Sequence, residues 1–164
     1  TPSNSSAASD VYKRQAGLPA KEIAEQIALL REKVHTTFIL NTLDYLSRGG
    51  RCSAVTAFGA NLLSIKPSIE MVDGALEVGK KYRGKIETVY GQYIRDQLSD
   101  PDKLDLSRAF LSHSGGGISE ETLQAMKKEI LRCAPFQEVQ IIRAGCTISA
   151  HCGPKTATVM FMEK

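Results

Sequence analysis

Residues 104–144 read LDLSRAFLSHSGGGISEETLQAMKKEILRCAPFQEVQIIRA, and three patterns follow one another in them. Leu104–His113 reads as a strand that runs into Gly115, Gly116 and Gly117. Ser119 can then cap a helix, and Glu120 and Glu121 stand in its first turn, where the positive end of the helix dipole favours them. Leu123, Met126, Ile130 and Leu131 recur at helical spacing as its apolar face, and the helix must stop near Ala134 and Pro135. Glu138–Ala144 is a second strand. Strand, capped helix and strand in that order make a crossover, so the sheet cannot be built from hairpins alone.

Working outward, the other half of the pattern is hairpin-like. Ser64–Glu70 reads as a strand with Pro67 at an edge or a bulge, and Asp73-Gly74 turns the chain into a strand over Ala75–Tyr82. Lys85–Leu98 is helical and ends at Asp100-Pro101-Asp102. Upstream, Ile23, Ile27, Leu30 and Val34 form the apolar stripe of an amphipathic helix, with Lys21, Glu22, Glu25 and Glu32 facing away. Thr36–Leu40 reads as a strand, Leu43–Leu46 as a short helical turn ended by Gly49-Gly50, and Ala54–Leu63 as a second apolar helix. A last strand, Ala157–Met162, is separated from Glu138–Ala144 by a loop over Gly145–Thr156. The sum is α/β, with an α+β character: a mixed, partly antiparallel sheet covered on one face by helices. Thr1–Gln15, rich in Ser and Ala without apolar period, is set aside as a disordered tail or a scar of cloning or assembly.

Composition narrows the function. The 164 residues suit one domain, and 42% apolar with 24% charged residues is ordinary for a globular chain. Trp is absent and aromatics are 6%, which leaves few rings to stack on bases. The net charge of +3 is spread without a basic run, so nucleic acid is disfavoured. No apolar stretch approaches the roughly 20 residues that cross a bilayer, so no stable membrane insertion is expected. Cys52, Cys133, Cys146 and Cys152 form no C-x-x-C pair, and without a signal peptide they read as free thiols in a cytoplasmic protein.

Two stretches could carry chemistry. In Ser47–Ser53 the paired Gly49 and Gly50 let backbone N–H groups turn toward an anion, and Arg51 adds a forked cation for a carboxylate or phosphate. The same residues also read as a helix C-cap followed by a solvated arginine. In Gly145–Pro154, small and hydroxyl residues, Ser149 among them, surround His151, which could donate to an acid headgroup. Cys146, His151 and Cys152 have no standard zinc spacing, and no metal or other cofactor is expected. His113, at the end of a strand, has no nucleophile elbow near it, and the reading as a surface histidine in a tight strand-to-helix turn is preferred. His35 is assigned no role. Val55, Phe58, Leu62, Leu63 and Ile65 are either core or the wall of an acyl-chain site.

Taken in order, residues 41–51 (NTLDYLSRGGR), 61–67 (NLLSIKP), Asp73-Gly74, Tyr82-Arg83-Gly84, His113 and residues 149–154 (SAHCGP) resemble the DegV family over most of residues 17–164. The resemblance implies the C-terminal domain of a bacterial fatty-acid-binding protein, the acyl carrier subunit of a fatty acid kinase. It implies no catalysis by this chain. A fatty acid would lie with its tail buried in this domain, against Phe58 and Leu62, and its carboxyl at the rim, held by Gly50, Arg51, Ser149 and His151 for phosphorylation by a partner kinase. Arg83 would face that partner. Residues 16–34 resemble the helix that closes the family's N-terminal domain, so the chain reads as residues 35–164 of the lipid-binding half. Lys155 stands where the family more often has Gly, and Ala150 and Cys152 where it more often has Thr. Two other readings compete: a small-molecule enzyme using His113 or His151 as acid and base, and a ligand-free interaction domain.

Overall fold

A computed structural model describes residues 13–50, 65–72 and 74–164. The expected helix at 54–63 and the Asp73 half of the hairpin turn lie outside the described residues. Six strands form one sheet in the order β3-β2-β1-β6-β4-β5: β1 Val34–Ile39, β2 Ile65–Val72, β3 Ala75–Arg83, β4 Leu104–His113, β5 Glu138–Arg143 and β6 Ala157–Glu163. β4 and β5 run parallel, joined by the crossover the sequence announces, and the other neighbours are antiparallel. The helices are α1 Ala20–Arg31, α2 Asp44–Arg48, α3 Ile86–Gln97, α4 Glu120–Cys133 and α5 Cys146–Cys152. A single 3-10 turn at Pro101–Lys103 joins α3 to β4.

Strand alternation divides the sheet into two faces. Ile39, Ala109, Leu111, Val139, Ala157, Val159 and Phe161 point toward α3 and α4, where Val89, Tyr90, Tyr93, Leu123, Met126 and Ile130 close the main core. Ser119 caps α4 as its position foretells, accepting a hydrogen bond from Thr122 N–H at 3.2 Å. Glu129 on α4 then grips Arg95 of α3 and Arg132 of its own helix, and these two guanidinium groups hold its carboxyl down at about 2. The opposite face carries a smaller cluster of Leu40, Leu43, Leu46, Ile69 and Cys152, with Phe38, Leu76 and Val78 against it. α2 and α5 supply its covering residues, so helices lie on both faces and not on one.

Three expectations need correction and one is narrowed. α1 stops at Arg31 and Val34 opens β1, because the chain must extend there to pair with β6. Of the two places expected for Pro67, an edge or a bulge, the structure has the bulge: β2 lies between β1 and β3, and Pro67 adjoins a bulge in which Gly79 and Lys80 oppose Ser68. Leu131 is 42% exposed and is not part of α4's buried face. The Gly145–Thr156 loop contains α5, a helix too short for periodicity to reveal.

Candidate functional site

α2 and α5 are short helices, and each buries a single side chain, Leu46 and Cys152 respectively. They bring together the two glycine-bearing stretches singled out in the sequence. A Cβ built on Gly49 would stand 2.7 Å from His151 Nδ1, so the imidazole lies directly on the end of α2. A Cβ built on Gly153 would stand 2.4 Å from Cδ2 of Tyr45, so an α2 ring lies on the residue that ends α5. Gly50 follows with φ +60, and among the described residues nothing lies within 4 Å of a Cβ built on it. Arg51, Phe58 and Leu62 lie outside the described residues.

The far end of α5 is fixed by buried polar groups that the sequence did not single out. Ser114 N–H donates to Thr156 O at 3.0 Å, and Thr156 N–H returns a bond to Ser114 Oγ at 3.2 Å. Thr156 Oγ1 donates to Cys152 O at 2.9 Å, closing the last turn of the helix. Ser149 Oγ lies 3.2 Å from Ser114 O and 3.4 Å from Ala144 O, which ties the middle of α5 to the ends of β4 and β5. Lys155, between Pro154 and Thr156, has φ 59, a left-handed conformation that glycine adopts without strain and other residues seldom do. It is held there by Tyr90 Oη donating to its carbonyl at 2.7 Å, by its own N–H on Gly116 O, and by its ion pair with Glu87 at 2.8 Å. Burial raises the Cys152 thiol, which keeps it protonated and inert.

His113 is not brought to this junction. It ends β4 opposite Arg143 in the parallel ladder, and its Nδ1 accepts the Gly115 N–H at 3.1 Å. Burial, with Arg143 beside it, lowers its pKa, while Glu120 works in the opposite direction. A lowered folded-state value means that the unfolded chain binds the proton more readily, so stability falls as pH drops below the ordinary histidine value of about 6.5. We expect His113→Gln to flatten the pH dependence of the urea midpoint between about pH 7 and 5. An unchanged slope in that window would count against this assignment.

His35 has more structure around it than its sequence neighbourhood suggested. It stacks on Phe161 with ring centroids 4.7 Å apart, and its Nε2 lies 3.1 Å from Gln97 Oε1. Thr37 Oγ1 donates to the same oxygen at 2.9 Å, and the buried Tyr93 Oη donates to Thr37 O at 2.8 Å. The hydrogen-bond partners are separated by 56 to 62 positions and Phe161 lies farther still, which is why no local pattern shows them. Burial drives the Tyr93 phenol up to about 12, against the opposite pull of the Thr37 hydroxyl, the Val159 N–H and the Thr158 hydroxyl on its oxygen. The network sits on the α3 side of the sheet, away from α2 and α5.

An open groove of about 850 Å³ runs between α4 and β5, lined by Gln124, Lys127, Leu131, Val139 and Ile141 among others. It includes none of the candidate residues. Among the described residues, no group of three His, Cys, Asp or Glu is placed to hold a metal, and no helix is long and apolar enough to cross a membrane.

The fold is thus a mixed α/β domain with one face closed by long helices and the other carrying a paired-helix junction. Over residues 10–164 the chain matches the family model described as "Uncharacterised protein, DegV family", and it belongs to that family. A DegV domain-containing protein of Caldanaerobacter subterraneus subsp. tengcongensis is 29% identical over 150 residues, covering 90% of this chain and 51% of its own length. Another, from Clostridium acetobutylicum, is 32% identical over 108 residues, 65% of this chain and 37% of its own. The chain spans about half the length, or less, of these curated relatives. Among solved structures, a DegV family protein from Eubacterium eligens loaded with heptadecanoic acid superposes with a TM-score of 0.81 at 20% identity, covering 97% of this chain and 56% of that one. The Streptococcus pneumoniae Fatty Acid Kinase (Fak) B3 protein loaded with linoleic acid gives 0.77 at 22% identity, covering 93% and 52%. At these identities the superpositions establish the shared fold.

Proposed function

We propose that this chain binds a long-chain fatty acid and carries it, without catalysing a reaction itself, for a partner kinase that phosphorylates the acyl carboxyl. The observation that carries the reading is the contact of His151 with Gly49. It joins the Gly49-Gly50 turn to the helix that carries His151 at the rim of an apolar cluster, the arrangement a carboxylate with a hydrocarbon tail requires. The tail lies against the cluster on the α2 and α5 face of the sheet, with Phe58 and Leu62 as further wall, and each buried methylene contributes about 0.8 kcal/mol. The carboxylate accepts from His151 and the Gly50 backbone and pairs with Arg51 in two parallel hydrogen bonds. Ser149 serves this site by holding α5 in place.

The wider assignment follows the same reading. Arg83, exposed at the end of the edge strand β3, faces the partner. Residues 16–34 close a preceding domain, against which the 71% exposed Leu29 of α1 packs. The setting is the bacterial cytoplasm. The loaded E. eligens and S. pneumoniae proteins support the ligand class, and the name of the latter supports the kinase partner.

The test is native mass spectrometry of the chain purified from bacteria, alone and co-expressed with the N-terminal half of a DegV relative, followed by solvent extraction of whatever is bound. A co-purified fatty acid in either preparation is the expected result. We further expect Arg51→Ala and His151→Ala each to weaken oleate binding at least tenfold while moving the unfolding midpoint little, since His151 is not among the buried core residues and an arginine directly after two glycines is expected to face solvent. No acyl ligand in either preparation, and no oleate binding, would overturn the proposal.

A further inference from the structure

Two aromatic rings and two glycines meet reciprocally at the junction: the α5 ring of His151 lies on Gly49 of α2, and the α2 ring of Tyr45 lies on Gly153 at the end of α5. The two glycines need different explanations. Gly49 has φ −77 and ψ −7, an ordinary helical conformation open to any residue, and the neighbour that most excludes a side chain there is the imidazole above it. Gly153 has φ 79 and ψ 179, which almost only glycine adopts, and Tyr45 covers it as well.

We infer that Tyr45 is a positioning residue for His151: its ring face, pressed on Gly153, fixes α5 against α2 and so sets where the imidazole presents its free edge. The inference rests on the fatty-acid reading for its functional consequence. Its physical basis is that a five-residue and a seven-residue helix, with one buried side chain each, gain too little from burial or from helix propensity to stay in register unaided. A ring laid flat on a glycine removes the sliding freedom that a side chain on either surface would leave, and close-packed contacts of this kind tolerate little displacement. The Nδ1 and Cε1 edge of His151 is turned onto Gly49, so the imidazole cannot shift along α2 without α5 moving too. The Tyr45 side chain is partly solvent-exposed and makes its contact through ring carbons, so the ring and not the hydroxyl carries the role.

The experiment compares wild type, Tyr45→Phe and Tyr45→Ala in the full chain by two readouts. The first is the nitrogen-15 signals of the His151 ring without ligand. The second is affinity for oleate and for oleyl alcohol, which share a tail and differ in the headgroup. Tyr45→Phe should match wild type in both. Tyr45→Ala should shift the His151 signals and weaken oleate about tenfold while leaving oleyl alcohol within about twofold. Unmoved ring signals in Tyr45→Ala, an equal loss for both ligands, or a Tyr45→Phe as damaging as Tyr45→Ala would each overturn the inference. If wild type binds neither lipid, the fatty-acid reading fails by itself, and the ring signals still decide whether Tyr45 positions His151.

Discussion

Gly153→Ala is expected to lower the stability of the protein by about 2 to 4 kcal/mol. Two effects add. With φ 79 and ψ 179 the residue occupies a region essentially reserved for glycine, which costs any other residue roughly 1 to 3 kcal/mol. The new Cβ would also stand 2.4 Å from Tyr45 Cδ2 and 2.8 Å from Cε2, so the ring must leave its seat. Gly50→Ala is the matched control: φ is +60 and nothing among the described residues lies within 4 Å of the new Cβ, so the left-handed penalty of about 1 to 2 kcal/mol is the expected cost. Urea unfolding of both variants separates the contributions. A Gly153→Ala midpoint equal to that of Gly50→Ala would show that Tyr45 yields freely and that the ring contact constrains nothing. Because displacement of Tyr45 releases α5, the same substitution is expected to weaken oleate binding, whereas Gly50→Ala should affect binding only as far as the backbone N–H moves.

How much of this was readable beforehand depended on the distance between partners in the chain. The crossover from β4 through α4 to β5 announced itself because each signal is local: a strand, a glycine turn, a serine cap and a helical stripe. The hairpin of β2 and β3 was equally legible. α5 was not, since seven residues with one buried side chain leave no stripe to read, and the bonds between Ser114 and Thr156 that hold its C-terminal end join residues 42 positions apart. The two candidate glycine stretches were visible separately by composition, and nothing local could say that Gly49 and His151 touch across about a hundred residues of chain. Tyr45 stood inside a quoted motif without an assigned role for the same reason. Val34 shows the opposite failure: it fits the helical stripe of Ile23, Ile27 and Leu30, but pairing with Met162 claims it for the sheet.

Leu46→Ala and Ile130→Ala remove similar volumes from opposite faces of the sheet, and each should cost about 2 to 5 kcal/mol if the whole domain registers the loss. Leu46 is 2% exposed and is the one side chain α2 buries, whereas Ile130 is fully buried among α3, α4 and the sheet. The consequences should therefore differ. A five-residue helix that loses its anchor can open locally at less than the global unfolding free energy, so part of the Leu46→Ala penalty is avoided by release of α2. We expect faster hydrogen exchange at the amides of Ser47 and Gly49, which donate to Leu43 O and Tyr45 O at 3.0 Å, together with a clear loss of oleate affinity. Ile130→Ala should lower the global midpoint at least as much while leaving those amides protected and binding within about twofold at temperatures where the protein stays folded. The reverse pattern, binding lost with Ile130→Ala and kept with Leu46→Ala, would mean that the ligand site belongs to the α3 and α4 face and that the α2 and α5 junction is only structural.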